Sequence, residues 1–143
     1  IAGAKQQPTP AWLRDYLVWE ASDPYLYFRN ASDGRLIAGG EDEASETAFE
    51  DPQKAAQKSQ TIARKISRLI GCDVGKPAYQ WSAAFGSTPT GTPMIGAIEG
   101  HPNVYAAMGY GGNGITFSKI AAEILAKALN GKEDRDAALF AFR

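Results

Sequence analysis

Gly109-Tyr110-Gly111-Gly112-Asn113-Gly114 stands between an apolar, strand-like run (residues 104–108) and a helix-patterned run that begins near Asn113. Its spacing satisfies G-x-G-x-x-G, the glycine turn that opens dinucleotide-binding βαβ units. A complete unit also needs a second parallel strand after the helix and an acidic residue about 20 residues on. Here the helical pattern stops at Asn130-Gly131, so only residues 132–143 remain. Glu133 and Asp134 fall at a suitable distance, but no second strand carries them. The apolar run 137–142 comes too late. The position of the glycines therefore argues against a full dinucleotide fold.

The physics behind the pattern survives that exclusion. Glycines let backbone approach a flat or charged ligand, and a helix starting at Asn113 presents free N–H groups of partial positive charge. The alternative is a helix packed closely on a strand, with glycine needed only for clearance. On the local sequence alone that alternative is slightly the better account.

The remaining segments read as short strands and two helices. Residues 1–10 (IAGAKQQPTP) form an irregular opening segment. Trp12, Leu13, Tyr16, Leu17, Val18 and Trp19 are apolar enough to be buried, without separating helix from strand. Tyr25-Leu26-Tyr27-Phe28-Arg29 and Arg35-Leu36-Ile37-Ala38-Gly39-Gly40 flank Asn30-Ala31-Ser32-Asp33-Gly34, whose Asp-Gly pair is a hairpin signal. Asp51-Pro52 predicts a helix start, since the carboxylate accepts orphan N–H groups and Pro lacks one. Ala55, Ala56, Ser59, Ile62, Ala63, Ile66, Leu69 and Ile70 recur at helical spacing until Gly71. Lys54, Lys58, Arg64, Lys65 and Arg68 make its solvated face. Residues 78–85, 94–98 and 104–108 are expected as strands, joined in part by the turn-rich GSTPTGTP of residues 86–93. Phe117, Ile120, Ala121, Ile124, Leu125, Ala128 and Leu129 form the apolar stripe of the second helix. The expected class is α+β with short antiparallel strands.

Composition narrows the function classes. The 143 residues are 44% hydrophobic and 22% charged, with a net charge of −1, values of an ordinary globular domain. The near-neutral charge argues against nucleic acid or an anionic membrane as principal partner, and no stretch approaches the roughly 20 apolar residues of a membrane span. One cysteine, Cys72, and one histidine, His101, exclude a disulfide framework and a multi-ligand Cys/His zinc site. The lone thiol suits a reducing cytosol, the expected location. A start at Ile1 without Met reads as a piece of something longer.

Other motifs carry less. Glu41, Asp42, Glu43, Glu46, Glu50 and Asp51 lack the order of a calcium loop and read as a solvated turn. Gly86-Ser87-Thr88 is no nucleophile elbow. His101 reads as a turn residue and Cys72 as structural.

Taken in order, YLYFRNASDGRLIAGGEDE, STPTGTPMIG, PNVYAAMGYGGNGITFSKIAAEIL and the closing FAFR resemble the C-terminal part of FAD-dependent amine and amino-acid oxidoreductases. This is the D-amino-acid oxidase/dehydrogenase-like superfamily that includes glycine oxidase and monomeric sarcosine oxidase, and the resemblance covers roughly residues 16–143. It implies that residues 1–98 belong to a substrate-binding domain of antiparallel strands with one long helix packed on them. Residues 99–143 would be the strand, glycine loop and helix that return to the FAD-binding domain, whose Rossmann part would lie upstream.

The resemblance also implies a role for the opening motif. In the family this loop passes beside the flavin ring, so Gly111, Gly112, Asn113, Gly114, Ile115 and Thr116 are the expected cofactor-side residues. Tyr25, Tyr27, Arg29, Phe85 and Tyr110 are the expected substrate pocket, although a surface-strand arginine accounts for Arg29 equally well. The implied reaction oxidises a C–N bond of a small amine or amino acid by hydride transfer to flavin. No metal is implied, and no catalytic residue is assigned.

Departures from the family pattern concern the substrate. Phe85 stands where glycine oxidase has a carboxylate-binding Arg, and Gly112 where a second Arg is expected. Thr116 stands where sarcosine oxidase has a carboxylate-binding Lys. Without those cations a buried carboxylate loses its partners. Ala83 replaces the flavin-tethering cysteine, so FAD is expected to be non-covalent. The piece alone is expected to be inactive, to lack its flavin domain as partner, and to self-associate as a homodimer. The rival expectations are an interaction module that kept the fold without flavin and, lower, a different dinucleotide enzyme.

Overall fold

The computed structural model describes residues 1–5 and 7–142. Gln6 of the opening segment and Arg143, the last residue of FAFR, lie outside the described residues. Contacts divide the chain into two compact units, Ile1–Ala84 and Phe85–Arg143.

The first unit is a three-stranded antiparallel meander, β1 (Leu17–Trp19), β2 (Leu26–Asn30) and β3 (Leu36–Gly40), covered on one face by α1 (Pro52–Ile70). Two single turns of 3-10 helix, Ala11–Arg14 and Ala48–Glu50, precede β1 and α1. Period-two alternation sorts β2: Leu26 and Phe28 point into the core, while Tyr27 and Arg29 point out. They pair with Gly40 and Ala38 in register, and Trp19 faces Tyr27 across β1. Residues 31–34 close the hairpin as expected, with Ala31 N–H bonded to Arg35 C=O at 2.8 Å.

Helix α1 starts and stops where its local signals place it. Asp51 Oδ1 accepts from the amides of Gln53 at 2.8 Å and Lys54 at 3.3 Å. Gly71 closes the helix at φ 71°, a left-handed conformation that costs glycine little. Ile62, Ala63 and Ile66 then lie against Leu26, Phe28, Leu36 and Ala38, joined by Ile1, Leu13 and Val74. The opening segment is partly ordered by this sheet, since Ala2 bridges Ile37 and Tyr79.

Two expectations fail here. Of the apolar residues between 12 and 19, only Leu13 is buried and Val18 half-buried; Trp12, Tyr16, Leu17 and Trp19 are exposed. Residues 78–85 form no strand. Tyr79 makes a single bridge to Ala2, and the run beyond it is exposed. Alternating large side chains favour a strand only when a neighbouring backbone supplies the ladder, and among the described residues that run finds one residue of it.

The second unit pairs β4 (Met94–Ala97) antiparallel with β5 (Tyr105–Met108) and packs α2 (Gly114–Leu129) on the hairpin. Its core is Ile95, Ala121 and Ile124, flanked by Ile120, Leu125 and Phe140. Leu129, at the far end of the expected stripe, is exposed. Residues Ala137–Phe140 form one helical turn, α3, which seats Phe140 edge-on against Phe117 at 6.4 Å. No strand follows α2 among the described residues, which agrees with the exclusion of a full dinucleotide unit. The architecture is α+β with small antiparallel sheets.

Candidate functional site

In the second unit the glycine loop and the start of α2 form one surface. Gly109 at φ 78° and Gly111 at φ 55° turn the chain out of β5. A Cβ on Gly109 would lie 2.7 Å from Thr88 Cγ2, so the threonine methyl occupies the space a side chain would need. Thr88, Thr90 and Thr92 hold one another: Thr88 Oγ1 donates to Thr92 C=O at 2.6 Å, and Thr90 Oγ1 lies 2.9 Å from Thr92 Oγ1. The motifs do not anticipate this clamp, although threonine at alternate positions is its visible signal.

A backbone bond ties this loop to the segment ahead of it. Gly111 N–H donates to Gly86 C=O at 2.9 Å, and Ser87 bridges Tyr110. Phe85, exposed, is thereby carried to the loop beside Tyr110. Five glycine-loop and helix-start positions expected at a cofactor, Gly112, Asn113, Gly114, Ile115 and Thr116, continue from it without interruption.

The start of α2 is open. The first bond into the helix runs from Phe117 N–H to Asn113 C=O, so the amides of Gly114, Ile115 and Thr116 precede it. Asn113 occupies the cap position without a side-chain cap bond. A Cβ built on Gly112 or Gly114 would meet nothing within 4 Å, and Ile115 is 92% exposed. Unshielded amides, small residues and clear space are what the flat ring and anionic edge of a flavin require. The residues present fit the group.

The other expected pocket residues lie in the first unit. Tyr25, Tyr27 and Arg29 share the sheet face away from α1. Tyr25 O–H donates to Asp42 Oδ2 at 2.5 Å. That hydrogen bond, with partial burial adding to it, pushes the phenol up to about 12. The ring of Tyr27 lies over Gly39, where a Cβ would stand 2.3 Å from its hydroxyl oxygen. Arg29 makes a bond only to Asn30 C=O, at 3.3 Å, so its guanidinium has no acidic partner among the described residues.

The acidic turn is divided among tasks. Glu43 binds Lys54 and Lys58, Glu41 binds Lys65, Asp51 caps α1 and Asp42 holds Tyr25. The two lysines hold the Glu43 carboxyl below the usual carboxylate range. A separate recess of about 750 Å³ opens between α1 and residues 73–80, with Arg64, Arg68 and Lys76 among its lining residues. None of the expected site residues lines it. No helix is long and apolar enough to cross a membrane among the described residues.

Comparison with known proteins identifies the family. A family model described as DAO, FAD dependent oxidoreductase, matches residues 2–128. The gamma-glutamylputrescine oxidoreductase of Escherichia coli (strain K12) is 25% identical over 122 residues, 85% of this chain and 27% of that protein. The probable oxidoreductase OrdL of Haemophilus influenzae is 29% identical over 76% of the chain and 23% of its own length. The D-amino acid dehydrogenase of Agrobacterium fabrum is 32% identical over 69% of the chain, again 23% of its own length. The chain thus spans about a quarter of the curated relatives it matches. No solved structure matches it.

Proposed function

The chain belongs to the DAO family of FAD-dependent oxidoreductases, and on that premise we propose that it is the C-terminal part of an enzyme oxidising the C–N bond of an amine or amino acid. The observation that carries the reading is the open start of α2 behind a glycine loop to which Phe85 is bonded through Gly86. The names of two relatives, a gamma-glutamylputrescine oxidoreductase and a D-amino acid dehydrogenase, both point to nitrogen-bearing substrates.

Bound FAD would supply the two-electron acceptor. The chain's own residues have narrower tasks. Gly111 and Gly112 would leave room for the ring, and Gly114, Ile115 and Thr116, with Asn113 before them, would hold the cofactor through their free amides. Phe85 and Tyr110 are the substrate-side residues proposed for the second unit, and Tyr25, Tyr27 and Arg29 those proposed for the first. FAD would be held without a covalent bond, since Ala83 stands where the tethering cysteine is expected. Residues 1–98 serve the substrate-binding domain and residues 99–143 the return to the flavin-binding part. The packing break at Ala84–Phe85 is a separate division.

Expression from the whole gene, with a visible spectrum recorded anaerobically, tests the proposal. Flavin bands that bleach on addition of an amine or amino acid are expected. A colourless protein that ignores added FAD would sink the reading in favour of a fold kept without the chemistry. The 143-residue chain alone is expected to bind FAD weakly and to self-associate through its exposed apolar side chains. Tight stoichiometric FAD binding, or a monomeric mass by light scattering at high concentration, would contradict those two points.

A further inference from the structure

We propose that the recess between α1 and residues 73–80 binds a small organic phosphate ester, its phosphate held by Arg64, Arg68 and Lys76. The inference goes beyond the flavin reaction and uses none of the residues assigned to it.

The five cations of α1 do not share one setting. Lys54 and Lys58 bind Glu43, and Lys65 binds Glu41. Arg64 and Arg68 have no acidic partner within ion-pair distance among the described residues, and Lys76 on the facing segment has none either. Arg64 reaches only the hydroxyl of Thr61, at 3.1 Å. Two arginines one turn apart on a helix are neighbours on its surface and repel each other. A solvated face explains an exposed cation anywhere on the helix. What sets these three apart is the concave space that all of them line.

That space has the size and lining for an ester. Its volume of about 750 Å³ is more than a bare phosphate fills and lies within the range of small-molecule clefts. Ala56 and Ala63 of α1, with Pro77 of the facing segment, supply apolar lining for the organic part. The two walls are pinned together: Val74 N–H donates to Ser67 Oγ at 3.1 Å, and that hydroxyl donates to Ala63 C=O at 2.8 Å. Asp73 is the one carboxylate among the described lining residues, and its Oδ1 accepts from Gly75 N–H at 2.8 Å. Three cations against that carboxylate leave an excess of two positive charges. A phosphate monoester, with a charge of about −2, matches the excess better than a monocarboxylate does. Each guanidinium fork can take two phosphate oxygens, and the lysine adds a point charge.

The test is a calorimetric titration of the whole-gene protein with phenyl phosphate, against benzoate and inorganic phosphate. Saturable binding of phenyl phosphate is expected, roughly tenfold tighter than benzoate, several-fold tighter than inorganic phosphate, and weakened by salt. Arg64, Arg68 and Lys76 are exposed, so glutamine at these positions keeps the fold. Arg64→Gln combined with Arg68→Gln should weaken binding at least about tenfold, and Lys76→Gln several-fold. Asp73→Asn should tighten it, because the opposing charge goes while the oxygen that holds Gly75 stays. Lys54→Gln removes the same charge as Lys76→Gln, but outside the recess, and should leave binding unchanged. No saturable binding, equal affinity for benzoate, or equal losses in Lys54→Gln and Lys76→Gln would overturn the site. Sedimentation with phosphatidylcholine vesicles containing phosphatidic acid, abolished in the double variant, would overturn the soluble ester as the source of the phosphate in favour of a lipid headgroup. The result is read without the flavin, so bleaching by amines, present or absent, leaves it unchanged.

Discussion

Tyr25 and Asp42, 17 residues apart, meet at 2.5 Å, with the phenol donating and the carboxylate accepting. The bond ties the start of β2 to the acidic turn beyond β3 and sets the protonation of the tyrosine.

The first prediction follows from that bond. Asp42→Asn should return the Tyr25 phenol from about 12 toward the ordinary 10. The sign is fixed by linkage: the folded state holds the phenolic proton more tightly than the unfolded chain. The contribution to stability is therefore whole below pH 10 and is lost as pH rises from about 10 to about 12. Ultraviolet titration of tyrosinate, parent against variant, isolates this group among six tyrosines. Superimposable curves would mean that the bond does not persist in solution.

Asp51→Ala should destabilise the first unit by about 1 kcal/mol, since two amides of α1 lose their acceptor. Asp51→Asn, which keeps an acceptor oxygen, should recover most of it. Urea midpoints with an unchanged slope would check both.

Isoleucines at two positions should behave in opposite ways. Ile66 is 0% exposed among Leu26, Phe28 and Leu36, so Ile66→Ala should cost about 2–5 kcal/mol through lost burial and an unfilled cavity. Ile115 is 92% exposed, and Ile115→Ala should stay within about 0.5 kcal/mol in the isolated chain. Thermal or urea unfolding distinguishes them. A large loss at Ile115 would show that the helix start is covered in solution.

Gly109→Ala should destabilise the second unit by about 1–2 kcal/mol from its left-handed backbone alone. The contact with Thr88 Cγ2 adds to that. Thr88→Ser in the same chain removes the methyl and should restore only the contact part. Full rescue by Thr88→Ser would mean that the backbone carries no strain.

Elements specified by near neighbours along the chain are legible in the amino-acid order itself. Asp51-Pro52 and Gly71 bracket α1, and Asp33-Gly34 turns the hairpin, because caps and turns are settled within a few residues. The glycine loop is recognisable as the start of a helix for the same reason. The strand expected at residues 78–85 and the burial expected of Trp12, Tyr16, Leu17 and Trp19 fail because both depend on what lies across from them. The Tyr25–Asp42 bond and the Gly111–Gly86 tie are invisible in the amino-acid order for a related reason: nothing in either local sequence names its distant partner.

The clamp of Thr88, Thr90 and Thr92 has a consequence for how this loop can evolve. Its members work as a set because they recur at every second position, and Thr88 must also stay over Gly109. Exchange of a hydroxyl for another small polar group leaves that phase intact. Insertion or loss of one residue throws all three out of step and lifts the methyl from the glycine. Relatives should therefore vary here in composition while conserving length.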